Sequence, residues 1–211
     1  MKYQLVIFDM DGTLADTSPG IYNSHRYAHK MMGRQEPTNE ELDGIIGGPL
    51  LKNYRERFGF SETDARKAVE FYRDYYAENG IYQAELYSGM GATLRKLHDL
   101  GIYLGVATLK AERFAKIMLK NMSVYDCFDA ICGMDEHDTR TKAQLIKLCM
   151  EKVGVSSTDT ILVGDSIHDL NGAKECCIDF LGVTYGFGFV DTDTIVPSKC
   201  KVPEEIMGNI V

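Results

Sequence analysis

Leu5-Val6-Ile7-Phe8-Asp9-Met10-Asp11-Gly12-Thr13-Leu14 is the stretch from which the rest of the chain can be read. Four apolar residues run directly into two aspartates two positions apart, and Gly-Thr follows at once. A short apolar run with β-branched and aromatic members, closed by Asp and Gly, reads as a buried strand that stops abruptly. Ligands of a parallel sheet bind beyond the carboxyl ends of its strands, which is where Asp9 and Asp11 fall. Gly12 lets the backbone turn immediately after them. Two carboxylates held so close repel, and a divalent cation is the simplest remedy. A plain turn is the competing explanation, because Asp and Gly are ordinary turn residues.

Working outward, strand and helix alternate regularly beyond Met90. The pattern predicts helices over 92–100, 111–120, 142–153 and 169–177, and strands over 102–107, 130–133, 160–163 and 180–184, the last of them closing the sheet. Leu94, Leu97 and Leu100 keep helical spacing, and Gly101 and Gly154 follow helix ends. Alternation in this order specifies an α/β fold, a Rossmann-like parallel sheet flanked by helices. Residues 17–84 differ, with no convincing strand. Ser18-Pro19 reads as a helix start, with Ser as N-cap and Pro at the first helical position. Thr38-Asn39-Glu40-Glu41 and Ser61-Glu62-Thr63-Asp64 open further helices, and Gly47-Gly48-Pro49-Leu50 breaks the run between them. The expected organisation is a core built from 1–16 and 85–211, with a helical module over 17–84 inserted after the first strand. Tyr72, Tyr75 and Tyr76 have the spacing of packing residues. His25 and His29, four apart, could share a helix face, but no carboxylate partner accompanies them, so a surface or packing role is expected.

The 211 residues suffice for one domain, or one domain with a modest insertion. A formal charge of −8 and a pI near 5.1 argue against binding a nucleic acid polymer over a broad surface. A small phosphorylated metabolite remains compatible, since a metal and one or two lysines can make a site locally positive. The six cysteines form no CxxC, and Cys176 and Cys177 are adjacent, so reduced thiols and a cytoplasmic location are expected. The apolar run before Asp9 is too short for a signal peptide, and no stretch approaches the ~20 apolar residues of a membrane span.

Asp9-Met10-Asp11-Gly12-Thr13-Leu14 resembles the first motif, DxDGT(L/V), of the haloacid dehalogenase superfamily. The chemistry points the same way: a strand-end carboxylate beside a metal can attack phosphorus, and a second carboxyl nearby can serve as acid and base. The resemblance implies that Asp9 is the nucleophile, Asp11 the acid/base, and Gly12 and Thr13 part of the phosphate cradle. Carbon–halogen hydrolases of the family generally lack the second aspartate, so Asp11 favours a phosphatase. Thr108 resembles the second motif, where a hydroxyl and the next backbone N–H, that of Leu109, would hold phosphoryl oxygens. Lys142, at the start of a helix, resembles the third-motif lysine that neutralises the phosphoryl group. Lys110 is the competing candidate, and Lys147 lies a turn inside the helix.

Gly164-Asp165-Ser166-Ile167-His168-Asp169 matches the fourth motif, GDxxxD. Asp165 would complete an oxygen shell for Mg²⁺ with Asp9 and the Asp11 carbonyl, and Asp169 would approach the ion directly or through water, or orient Lys142. The helical module resembles the cap of the phosphoglycolate phosphatase/β-phosphoglucomutase branch. Gly48 lies in its substrate loop, and Arg55 either follows toward the leaving group or is a plain surface arginine. Tyr87-Ser88-Gly89-Met90 departs from the usual Pro-Gly at the return to the core. The resemblance implies a Mg²⁺-dependent, phosphoglycolate phosphatase-like phosphomonoester hydrolase. A 5′-nucleotidase-like phosphatase, a phosphosugar mutase and a non-catalytic phosphate-binding regulator are the alternatives.

Overall fold

The computed structural model describes residues 2–135, 139–191, 195–196 and 198–211. Two compact units emerge, Met1–Asp16 with Glu85–Val211, and Thr17–Ala84. The first unit begins with β1 (Leu5–Phe8) and β2 (Ala15–Asp16). The second holds α1 (Ser18–Met31), α2 (Asn39–Leu42), α3 (Leu50–Lys52) and α4 (Glu62–Glu78). The first unit resumes with β3 (Glu85–Leu86), α5 (Met90–Asp99), β4 (Tyr103–Ala111), α6 (Glu112–Asn121) and β5 (Ala130–Met134). It ends with α7 (Lys142–Val153), β6 (Thr160–Gly164), α8 (Ile167–Cys176), β7 (Asp179–Val183), β8 (Lys199–Cys200) and α9 (Ile206–Ile210).

The main sheet has the order β5-β4-β1-β6-β7-β8, and every neighbouring pair is parallel. β1 lies between β4 and β6, with Leu5 opposite Tyr103 on one side and Thr160 on the other. All its residues are buried, and because successive side chains of a strand point to opposite faces, both faces of the sheet are covered there. On one face Leu5 and Ile7 join Leu162 and, from α7 and α8, Leu145, Ile146, Cys149 and Ala173. Burying each large apolar side chain contributes ~1.5–3 kcal/mol, so this layer fixes the strand ends that carry the site. The expected Rossmann-like α/β fold is the fold observed. No helix among the described residues is long and apolar enough to cross a membrane. All six cysteines are free thiols.

Three expectations are corrected. Ser18 is the first residue of α1 rather than its cap; Thr17 precedes the helix, and Pro19 is accommodated in the first turn, where backbone N–H groups have no helical partner anyway. The strand ending at Val183 is not the last, because β8 pairs beside β7 through Gly182↔Lys199 and Val183↔Cys200. A two-residue strand leaves no periodicity to detect. Ala111, expected to open a helix, instead ends β4, which runs longer than its apolar core.

In the Thr17–Ala84 unit α1 packs along α4, and Gly20 lets α1 approach the 3-10 turn Gly80–Tyr82 that follows, since a Cβ there would stand 2.1 Å from the Gly80 carbonyl oxygen. Pro49 precedes α3, which passes directly into a π-helical turn at Asn53–Arg57. His25 and His29 are buried rather than exposed, packed against Tyr54 and Phe58, with Tyr72 beside His25 and Phe60 beside His29. Burial lowers His25 to about 3, so it is a neutral packing residue.

Candidate active site

The site is built at the carboxyl ends of β1, β4 and β6. Asp9 follows β1 directly, its backbone N–H donating to the Val163 carbonyl at 2.9 Å and so extending the strand pairing by one residue. The tight turn after it uses Gly12 at φ +81°, a conformation that a residue with a Cβ rarely adopts. Its close packing is a second reason for glycine: a Cβ at position 12 would lie 2.3 Å from Asp165 Oδ2.

Lys142 reaches Asp9 from the first position of α7. A reciprocal cap fixes that helix start: Thr141 Oγ1 accepts from the Gln144 N–H at 3.2 Å, and Gln144 Oε1 accepts from the Thr141 N–H at 2.8 Å. The buried ammonium donates to Asp9 Oδ1 and to the Ala107 carbonyl, both at 2.7 Å, and forms an ion pair with Asp169 Oδ1, also at 2.7 Å. Through two hydrogen bonds and one ion pair Lys142 ties β1, β4 and α8 together. Burial works to lower its pKa, but Asp169 and Asp9 overcome it and hold the lysine above its usual range.

Asp165 follows β6 and is gripped from two directions. Its Oδ1 accepts from Thr13 Oγ1 at 3.2 Å, and its Oδ2 from the backbone N–H groups of Phe187 at 2.8 Å and Gly188 at 3.1 Å. Asp169 lies in the first turn of α8, where its Oδ2 accepts from Ser166 Oγ at 2.6 Å and Ser166 N–H at 3.0 Å while Oδ1 faces Lys142. Ligand oxygens of Asp9, Asp165 and Asp169 all lie within 4.8 Å of one another, and all three residues are buried. Burial first, and Asp169 second, pushes Asp9 up to about 8 against the opposing pull of Lys142. The same two causes raise Asp165 to about 6, with the Phe187 amide, Thr13 hydroxyl and Gly188 amide pulling back. Three buried carboxylates, two of them paired with one lysine, offer oxygen donors alone and suit a hard cation.

Thr108, near the end of β4, is buried, and its Oγ1 accepts from the Lys110 N–H at 3.1 Å. A hydroxyl that accepts there keeps its own proton to donate. Leu109 turns its side chain outward, 36% exposed. Lys110 reaches Asp11 instead of Asp9, its Nζ standing 3.1 Å from Oδ1. Lys147 is at the surface, 3.8 Å from Glu175. Gly48 and Arg55 belong to the other compact unit; the Gly48 N–H donates to the Ile45 carbonyl at 3.3 Å, and Arg55 pairs with Glu62 at 3.0 Å at the surface.

One part of the site escaped the sequence reading, the loop Tyr185-Gly186-Phe187-Gly188-Phe189 after β7. A Cβ on Gly186 would lie 2.1 Å from the Gly12 carbonyl oxygen, so only glycine lets this loop close over the first turn and present its amides to Asp165. Tyr185 Oη donates to the Thr13 carbonyl at 3.1 Å from the same loop. Glycines at alternate positions just past a strand, on the ligand edge of a parallel sheet, were the available signal.

Residues 6–183 match a family model described as haloacid dehalogenase-like hydrolase. A 5′-nucleotidase of Pseudomonas aeruginosa is 35% identical over 192 residues, 90% of this chain and 87% of that one. A phosphoglycolate phosphatase of Vibrio parahaemolyticus is 28% identical over 193 residues, 87% of this chain and 85% of that one. A solved structure of protein tyrosine kinase A from Mycobacterium tuberculosis matches with a TM-score of 0.84 at 31% identity, covering 99% of this chain and 98% of that one.

Proposed function

The chain belongs to the haloacid dehalogenase-like hydrolases, and we propose that it is a Mg²⁺-dependent phosphatase that hydrolyses a small phosphomonoester through an aspartyl-phosphate. The observation that carries this reading is the buried Lys142–Asp9 pair, set beside two further buried carboxylates at the ends of parallel strands. An Asp9 carboxylate oxygen attacks phosphorus, and the ester oxygen leaves with a proton from the Asp11 carboxyl. Water then attacks the aspartyl-phosphate and gives its proton to Asp11, orthophosphate departs, and Asp9 is again a carboxylate. Thr108 and Lys142 hold the phosphoryl oxygens, with backbone N–H groups of Gly12, Thr13 and Leu109 as further donors. Asp9, Asp165 and the Asp11 carbonyl would hold Mg²⁺, with Asp169 as a further carboxylate beside them; Asp169, engaged by Ser166 and Lys142, orients the lysine. When bound, the ion supplies charge neutralisation for the phosphoryl group and keeps Asp9 ionised.

The helical unit is proposed as a cap that selects substrate, with the loop containing Gly48 as its selecting element; its insertion directly after the catalytic strand supports this. Phosphoglycolate and a nucleoside 5′-monophosphate are the two substrate classes in view, and the higher identity to a 5′-nucleotidase favours the nucleotide. The free cysteines support a cytoplasmic location. The test is phosphate release from phosphoglycolate, hexose phosphates and nucleoside monophosphates, with Mg²⁺ and with EDTA. Mg²⁺-dependent release concentrated in one class is expected. Release that EDTA leaves untouched would overturn the metal assignment, and silence across the panel would overturn the phosphatase. Phosphate appearing on a protein hydroxyl instead of in solution would favour the transfer implied by the kinase name of the Mycobacterium protein.

A further inference from the structure

We infer that Lys110 is a positioning residue for Asp11, so that two lysines divide the chemistry: Lys142 serves Asp9 and the phosphoryl group, and Lys110 sets the carboxyl that protonates the leaving oxygen. The inference rests on the phosphatase reading above. Lys142 is directed to the Asp9 side of the site: it donates to Asp9 and the Ala107 carbonyl and forms an ion pair with Asp169. Lys110 is in place: its side chain is only 8% exposed and its ammonium stands 3.1 Å from Asp11 Oδ1.

The backbone is shaped to put it there. β4 pairs with β5 in register as far as Ala107↔Cys132, then shifts, so that Ala111 next meets Met134. Four positions along β4 thus match two along β5, and the intervening residues leave the ladder, a device that re-aims side chains at strand ends. Thr108 and Lys110 turn inward and Leu109 outward, as strand alternation requires. Gly133 lets this irregular segment lie against β5, since a Cβ there would stand 2.6 Å from Glu112 Cα and 2.7 Å from the Lys110 carbonyl oxygen. Glu112 accepts from the Gly133 N–H at 3.4 Å and closes the clamp. Through its backbone N–H, Lys110 also fixes the Thr108 hydroxyl, so a single residue orients two members of the site.

The contact with Asp11 is an ion pair, and among the described residues buried Asp11 Oδ1 has no hydrogen-bond partner. The ammonium therefore restrains the carboxyl through its charge.

The test separates positioning of the acid from binding of the phosphoryl group. Esters of good leaving groups expel their oxygen with little help from an acid, whereas alkyl esters need the proton, and general-acid assistance is worth on the order of 10²–10⁴-fold. The readout is kcat/KM for Lys110→Met on p-nitrophenyl phosphate and on an alkyl or nucleoside monophosphate. The expected result is a loss of about 10²-fold on the alkyl ester against a loss of only a few-fold on the nitrophenyl ester, with Lys110→Arg recovering part of the larger loss. Equal losses on both esters, or no loss on either, would overturn the inference, as would a Lys110→Arg variant no better than Lys110→Met. Wild-type protein silent on both esters would break the phosphatase reading instead. Crystal structures of the wild type and of Lys110→Met test the placement without turnover: the Asp11 carboxyl is expected to leave its position in the variant, and an unmoved carboxyl refutes the assignment.

Discussion

The two compact units each bury ionisable side chains, but they do so in opposite ways. In the helical unit His25 and His29 lie among aromatic rings, and burial lowers both, so they fold neutral. His25 Nδ1 is 3.1 Å from Tyr54 Oη, and the tilted rings of Tyr54, Phe58 and Tyr72 pack around it. In the first unit, Asp9, Asp165 and Asp169 converge on one point with Lys142 beside two of them, and burial first, then the neighbouring carboxylates, raise Asp9 and Asp165. Burial of a titratable group therefore does not mark a functional site by itself. Convergence of like charges on one point does, because a fold under no functional demand has no reason to keep that repulsion.

The sharpest way to test this contrast is to neutralise one group on each side. Asp9→Asn should fold normally and lose activity by about 10⁴-fold or more in a phosphate-release assay, since it removes the proposed nucleophile. His25→Leu should leave kcat within a few-fold of wild type; a collapse of kcat there would break the comparison. Next in size is Lys142→Met, which strands Asp9 and Asp169 as buried carboxylates. It should lower stability by roughly 3–5 kcal/mol, read from the urea midpoint, as well as abolishing turnover.

The pH dependence should run in opposite directions for the two regions. Asp9 rises from 3.8 to about 8 on folding, so the metal-free folded state holds a proton that the unfolded chain has released. Its contribution to stability is complete below about pH 4 and is lost as pH rises toward about 8, and Asp165 adds to the loss toward about 6. His25 falls from 6.5 to about 3, so its contribution is present above about pH 6.5 and is lost as pH falls toward 3. In Tm measured against pH with EDTA, Asp9→Asn should flatten the alkaline slope and His25→Leu the acid slope. Added Mg²⁺ should raise Tm more at pH 8 than at pH 5, where a carboxyl proton competes with it. The smallest effect belongs to Tyr54→Phe, which removes one buried hydrogen bond and should cost about 1 kcal/mol with kcat unchanged.

Much of the first unit was legible because its signals are local. β1 announces itself by four apolar residues and a stop, α7 by an apolar helical run and a closing glycine, and β6 by an apolar run into Gly-Asp. Asp9, Asp165 and Lys142 each stand at the boundary of such an element, so their candidacy could be read position by position. Lys110 was visible only as a rival to Lys142, because its destination depends on a register shift between β4 and β5 that no local pattern records. The Gly186–Gly188 loop was invisible for a similar reason: its amides matter only because β7 lies beside β6. The histidines of α1 could share a face by spacing, but only the packing of α1 against α4 and the segment 54–60 buries them.

By itself the amino-acid sequence determined the α/β class, the alternation of strands and helices, the family, and which carboxylates stand at strand ends. These follow from periodicity, caps and turn residues within short stretches of chain. The tertiary structure decided which lysine meets which aspartate, which backbone amides grip Asp165, and whether a buried histidine is packing or chemistry. Those outcomes are set by pairings between residues up to 133 positions apart, as in Lys142 and Asp9, whose contact exists only once parallel strands align their carboxyl ends.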